Sequence, residues 1–385
     1  GNESSCISDT IIHDNVAPVA AISGTPATPN AASSYDVAVE TNDGLDSYQF
    51  ALMNSVSLCS AASYNGTWIN HATNITGNLS GSGSWKLCVI GRDIAGNSQS
   101  AATATEHVWQ YDNQDPTLVI SSTASDPTNA GTIPIEIGFS EDVSGFVVGD
   151  ITVTGGSASN FVGSATSYTF DLTPAAAGTI AIDVSAGVAA DVVGNTNTAA
   201  TQFTIVYDNV PPSDTSVSIA GGAVQTNSNT VTLTLGATDV SEMYLSNTAG
   251  CSSGGAWEEF ETTKGWALGQ SNETATVYIK YRDALGNESS CISDDIIHDS
   301  IAPVAVISGT PASPTSNAAY DIDVQSGSGL ETYQYALING DAECSAASYG
   351  GTWIDETTNI SGNLGASGAW KLCVIGKDAA GNGQS

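Results

Sequence analysis

Forty Asp and Glu stand against seven Lys and Arg in this chain of 385 residues, and the carboxylates recur in two fixed patterns. D-[NS]-x-x-P occurs at Asp14 to Pro18, Asp112 to Pro116, Asp208 to Pro212 and Asp299 to Pro303, at spacings of 98, 96 and 91 residues. D-x-x-G-N occurs at Asp93 to Asn97, Asp191 to Asn195, Asp283 to Asn287 and Asp378 to Asn382. Carboxylate oxygens are the ligands Ca²⁺ prefers, so a site drawing on both patterns is one chemistry open to them. A tight turn whose Asp accepts its own backbone N–H groups is the other. The contiguous D-x-[DN]-x-[DN]-G calcium loop does not occur, so any site is discontinuous.

Other chemistries are poorly supplied. A formal net charge of -33 excludes phosphate backbones as partners, because counterion release needs clustered Lys and Arg. Anionic membrane surfaces are excluded on the same ground. His13, His71, His107 and His298 are scattered, and His13 and His298 occupy the same place in two copies of one sequence. No G-x-S-x-G, H-E-x-x-H or phosphate-binding glycine loop accompanies them, so no enzyme is expected. No run of 18 apolar residues is long enough to span a bilayer.

The elements that must position these residues follow from a repeat. GNESSCISDTIIHD at Gly1 to Asp14 returns as GNESSCISDDIIHD at Gly286 to Asp299, and residues 1–100 align without a gap on 286–385 with 65 identities. Within that 285-residue period the D-[NS]-x-x-P prolines interrupt strand pairing and stiffen linkers, which marks module boundaries. The expected modules are 15–112, 113–208, 209–299 and 300–385, the last lacking its final strand, with 1–14 as the last strand of a preceding module. Each carries an alternating strand about 20 residues after its linker: Tyr35, Val37 and Val39; Ile133, Ile135, Ile137 and Phe139; Val231, Leu233 and Leu235; Tyr320, Ile322 and Val324. Modules of 90 to 100 residues with about seven short strands and frequent turn signals indicate an all-β chain, a tandem array of Ig-like β-sandwich modules.

D-x-x-G-N, a last strand and then D-x-x-x-P, repeated along the chain, resembles the bacterial Ig-like domains strung through large surface adhesins and biofilm-associated proteins. The second module, with FSEDVSGF from Phe139 and DITVTGG from Asp150, looks like a different subtype. In a sandwich, the linker, the turn after the second strand and the turn after the sixth meet at one end. The candidate calcium ligands are therefore Asp14 with Asp43 and Asp93, Asp112 with Asp142 and Asp191, Asp208 with Asp239 and Asp283, and Asp299 with Asp378, where Ser328 replaces the third carboxylate.

Seven cysteines complete the inventory. The simplest pairing within modules joins Cys59 to Cys88, Cys251 to Cys291 and Cys344 to Cys373. Cys6 is the counterpart of Cys291, so its partner is expected in a module before Gly1. Bridges of this kind indicate an oxidising, extracellular setting. Trp68, Trp257 and Trp353, each after a small-residue turn, are expected to pack over the bridges in the core. The expected function is an extracellular stalk whose partners are other modules of the same array. A second expectation is a filament in which like chains complete one another by strand addition.

Overall fold

The computed structural model describes residues 3–40, 44–54, 57–327 and 329–384. The chain divides into two compact units, Gly1–Asp208 and Asn209–Ser385, each holding two modules. Nearly every element is a short antiparallel strand, as expected for a chain rich in β-branched residues alternating with polar ones.

In the first module, strands Ala21–Ser23, Ser34–Glu40 and Ile75–Asn78 form one sheet. Strand Leu45–Met53 lies between Ile69–Asn70 and Gly83–Asp93 in the other, which Thr105–Tyr111 extends. Val37, Tyr48, Ile75, Leu87, Val89 and Trp109 meet between the sheets and are almost wholly buried. The second module places Leu118–Ser122, Ile133–Val143 and Gly156–Pro174 in one sheet and Ile151–Thr154, Gly178–Val184 and Phe203–Tyr207 in the other. Alternate residues Ile133, Ile135, Ile137 and Phe139, with Leu172 on the neighbouring strand of the same sheet, face Ile180 and Ile182 across that core. Burying each of these side chains stabilises the module by about 1.5–3 kcal/mol, which is why period-two alternation commits the strand to one face.

The third module pairs Ser213–Ile219, Thr230–Thr238 and Thr263–Ala267 against a five-stranded sheet centred on Thr274–Arg282 and Ile292–His298. In the fourth, Ala305–Ser308, Ala319–Ser326 and Ile360–Asn363 face a sheet with Leu330–Asn339 between Ile354–Asp355 and Trp370–Asp378. The duplicated segment behaves differently in its two places. Ile292–His298 is a strand paired with Thr274–Arg282, and Ile296 is completely buried. Residues 3–14 form no strand, and Ile7, Ile11 and Ile12 are exposed.

Three disulfides join Cys59 to Cys88, Cys251 to Cys291 and Cys344 to Cys373, and Cys6 is free and exposed. They are not bridges between the two sheets of a sandwich. Trp85, Leu87 and Val89 point into the core of the first module, so Cys88 faces the opposite way. There it meets Cys59, on the 3-10 turn Cys59–Ala61, and the bridge staples that loop to the outside of the sheet.

The tryptophans follow the same logic and overturn the expectation that they cover the bridges. Trp68 and Trp257 are half-buried and Trp353 is 39% exposed, each beneath a cation from the strand leading into D-x-x-G-N. Arg92 lies over Trp68 at 5.4 Å, Arg282 over Trp257 at 4.3 Å and Lys377 over Trp353 at 5.7 Å. Trp85 and Trp109 fill the core of the first module instead.

Candidate functional site

Each D-x-x-G-N segment is a turn, at the end of a long strand in the first, third and fourth modules, and its glycine supplies the left-handed backbone, with φ of 94° at Gly96, 97° at Gly194, 87° at Gly286 and 95° at Gly381. The aspartates are buried: Asp93, Asp191, Asp283 and Asp378. Oδ1 of each accepts the backbone N–H of the motif's asparagine, at 2.8, 2.9, 2.9 and 2.8 Å. Oδ2 accepts that asparagine's side-chain amide at 2.7, 2.8, 2.7 and 2.8 Å. Burial opposes ionisation of Asp93, but hydrogen bonds from the Asn97 amide and from the N–H groups of Asn97, Gly96 and Ala95 outweigh it. They hold its carboxyl below the usual aspartate range.

The asparagine also reaches the linker. Asn97 Nδ2 donates to the carbonyl of Asp14 at 3.2 Å, Asn195 to that of Asp112 at 3.2 Å and Asn382 to that of Asp299 at 2.7 Å, always across 83 residues. The linker carboxylates cap their own turns: Oδ1 of Asp14, Asp112 and Asp299 accepts the N–H of Val16, Gln114 and Ile301.

In the second module three carboxylates come together, with ligand atoms of Asp112, Glu141 and Asp191 all within 4.8 Å of one another. The third member is Glu141, where Asp142 was expected. Inward positions on Ile133–Val143 are the odd-numbered ones, so Glu141 is half-buried at the end of that face while Asp142 is exposed. Burial, and then the charges of Asp112 and Asp191, push the Glu141 carboxyl above its ordinary range.

Asp43 and Ser328 lie outside the described residues. Asp14 is exposed, and Asp299 is half-buried with its carbonyl on Asn382. Asp208 closes the first unit, its N–H on the carbonyl of Thr128 at 2.9 Å. In the second unit Asp239 is exposed in the left-handed region, with φ of 57°, and Asp283 is buried in its turn.

Sequence reasoning passed over two kinds of residue. The motif asparagines are one kind, and their presence in all four copies is the signal that marks them. Asp could not replace them, since an ionised carboxylate has no hydrogen to donate to the second aspartate or to the linker carbonyl. Glu141 was legible from strand parity, once the alternation beginning at Ile133 is carried through to Val143.

Residues 112–207 match the family model described as bacterial Ig-like domain. No curated protein matches the chain. Among solved structures, invasin, titled a bacterial integrin-binding protein, is similar at 10% identity over 94% of this chain and 76% of its own, with a TM-score of 0.32. A biofilm-associated protein's BSP domain is similar at 8% identity over 98% of this chain and 96% of its own, with a TM-score of 0.25. Domains A168–A170 of titin are similar at 11% identity over 74% of this chain and 99% of theirs, with a TM-score of 0.31. Residues 112–207, which hold the two facing sheets of the second module, are therefore a bacterial Ig-like domain, and paired antiparallel sheets recur in the modules on either side of it.

Proposed function

We propose that this chain is an extracellular stalk segment of a bacterial surface adhesin or biofilm protein, non-enzymatic, whose modules serve as spacers. The observation that carries the reading is repetition: Asn97, Asn195 and Asn382 hold their linker carbonyls across the same 83 residues. A scaffold repeated module by module suits a spacer, whereas a catalytic centre needs to be built once. Disulfides in three modules suit an oxidising exterior. Small-angle scattering together with mass per length by electron microscopy tests the reading. A rod one module thick, on the order of 150 Å for four modules at ~3.3 Å per extended residue, is expected. A compact particle would overturn it, and an assembly two or more chains thick would favour the filament.

Calcium at the first unit's junction is part of the same proposal. Asp112, Glu141 and Asp191 would hold the ion, with carbonyl or water oxygens completing its shell. The donor set fits. All three are hard oxygen ligands, and Glu141 is already disfavoured as a bare anion by burial and by its two neighbours. The ion would supply the positive charge that relieves this repulsion. Titration calorimetry with CaCl₂ on wild type and Glu141→Gln is the check. Equal heats in the two would leave these carboxylates as turn and edge residues.

A further inference from the structure

The linker between the first two modules has its backbone held from both sides. Asp112 donates its N–H to the carbonyl of Asn30 in the first module at 3.0 Å. Asn113 donates its N–H to Ser82 Oγ, also in the first module, at 2.9 Å. The carbonyl of the same Asp112 accepts Asn195 Nδ2 from the second module at 3.2 Å. The second unit repeats the scheme with different residues. There Asp299 donates to the carbonyl of Thr226 at 2.9 Å, and Ser300 donates to Asn272 Oδ1 at 2.7 Å, both in the third module. Asn382 Nδ2, from the fourth module, donates to the carbonyl of Asp299 at 2.7 Å.

One residue is thus bonded through its N–H to the module before and through its C=O to the module after. Rotation about its φ or ψ turns one of these groups away from its partner, so the hinge that a linker normally supplies is blocked at its first residue. The asparagine is suited to the task because its amide carries two hydrogens. In Asn195 they go to Asp191 Oδ2 and to the Asp112 carbonyl, while the buried Asp191 fixes the asparagine's own backbone. Proline four residues further on, Pro116 or Pro303, limits what slack remains.

We infer that the two modules within each unit are locked in orientation by the side-chain amide of the D-x-x-G-N asparagine acting on a linker residue already bound to the preceding module, and that this lock needs no cation. It is independent of the calcium reading, since every bond in it is between neutral groups or within the turn.

Double electron–electron resonance on the full chain, with spin-labelled noncanonical residues at exposed Thr76 and Ala176, tests this. The wild-type distance distribution is expected to be equally narrow in EDTA and in Ca²⁺. Asn195→Ala is expected to broaden it about twofold or more in both conditions, because a freed φ/ψ pair restores many orientations. Broadening of the wild type on chelation alone would overturn the inference, as would an Asn195→Ala distribution as narrow as wild type. Hydrogen exchange of Ile133–Val143 reports whether the variant's second module stays folded. Should it not, Asn382→Ala with labels at Thr232 and Ser367 puts the same question to the second unit, and the wild-type chelation experiment still decides. Absence of calcium binding by calorimetry would remove the calcium reading and leave the lock standing.

Discussion

Glu141 shows how strand parity changes the chemistry of a carboxylate. It shares a face with Ile133, Ile135, Ile137 and Phe139, so it arrives half-buried beside Asp112 and Asp191, while Asp142 one residue later points to water. Burial and the two neighbouring charges raise its folded value above the ordinary glutamate range. Ionisation therefore opposes folding at neutral pH, and the opposition disappears below the ordinary glutamate value, ~4.3, where folded and unfolded chains are both protonated. Glu141→Gln is expected to raise the melting temperature of the second module at pH 7 in chelator, with the gain fading toward pH 4. Melting curves across that range provide the measurement. Asp93 has the opposite sign: its carboxyl is held low, so its contribution is present above the ordinary aspartate range and lost as acid protonates the folded form.

Strand Thr274–Arg282 divides its work between two faces. Ala275, Val277, Ile279 and Tyr281 are inward and completely buried. Lys280 and Arg282 are outward, paired with Glu288 at 2.6 Å and Glu242 at 2.6 Å, and both lie over Trp257. Register explains the meeting: Glu242 stands opposite Arg282, and Tyr244 stands opposite both Lys280 and Trp257. Inside, the Tyr281 hydroxyl donates to the carbonyl of Ser216 at 2.6 Å, and burial pushes its pKa up to about 12. A raised folded value means that this contribution is intact below the ordinary tyrosine range and lost as pH rises through about 12. Tyr281→Phe is expected to cost about 0.5–1.5 kcal/mol at neutral pH, more if the Ser216 carbonyl stays dry. It should also blunt alkaline unfolding of the third module between pH 10 and 12, followed by circular dichroism.

At the scale of the whole molecule, each module has its own core, and the disulfides are distributed unequally among them. Bridges closing 29 or 40 residues stabilise the first, third and fourth modules, by about 3–4 kcal/mol each on a chain-entropy account. The second module has no cysteine. Calorimetry with and without reductant should therefore lower three transitions, by roughly 15–25 °C for modules of this size, and leave the one belonging to the second module in place. All seven Lys and Arg are engaged within the chain, by carboxylates or by tryptophan faces, so the surface potential is set by acidic residues. Raising ionic strength should reduce repulsion between molecules, measured as a fall in the second virial coefficient by light scattering.

The amino-acid sequence by itself determined the alternation of Ile133 to Phe139 and of Val231 to Leu235, the turn glycines and the module punctuation, because each of these is a local rule of backbone and burial. It also marked the asparagines by repeating them. Only the tertiary structure decided what those asparagines hold, since a hydrogen bond across 83 residues depends on two loops meeting at one end of a sandwich. The same holds for Trp68, Trp257 and Trp353, whose place outside the core follows from where the strands carrying Arg92, Arg282 and Lys377 pass. Residues 3–14 and 288–299 make the plainest case. Near-identical segments are unpaired in one place and a buried strand in the other, because a β-strand's hydrogen bonds come from a neighbour, and Thr274–Arg282 is beside only one of them.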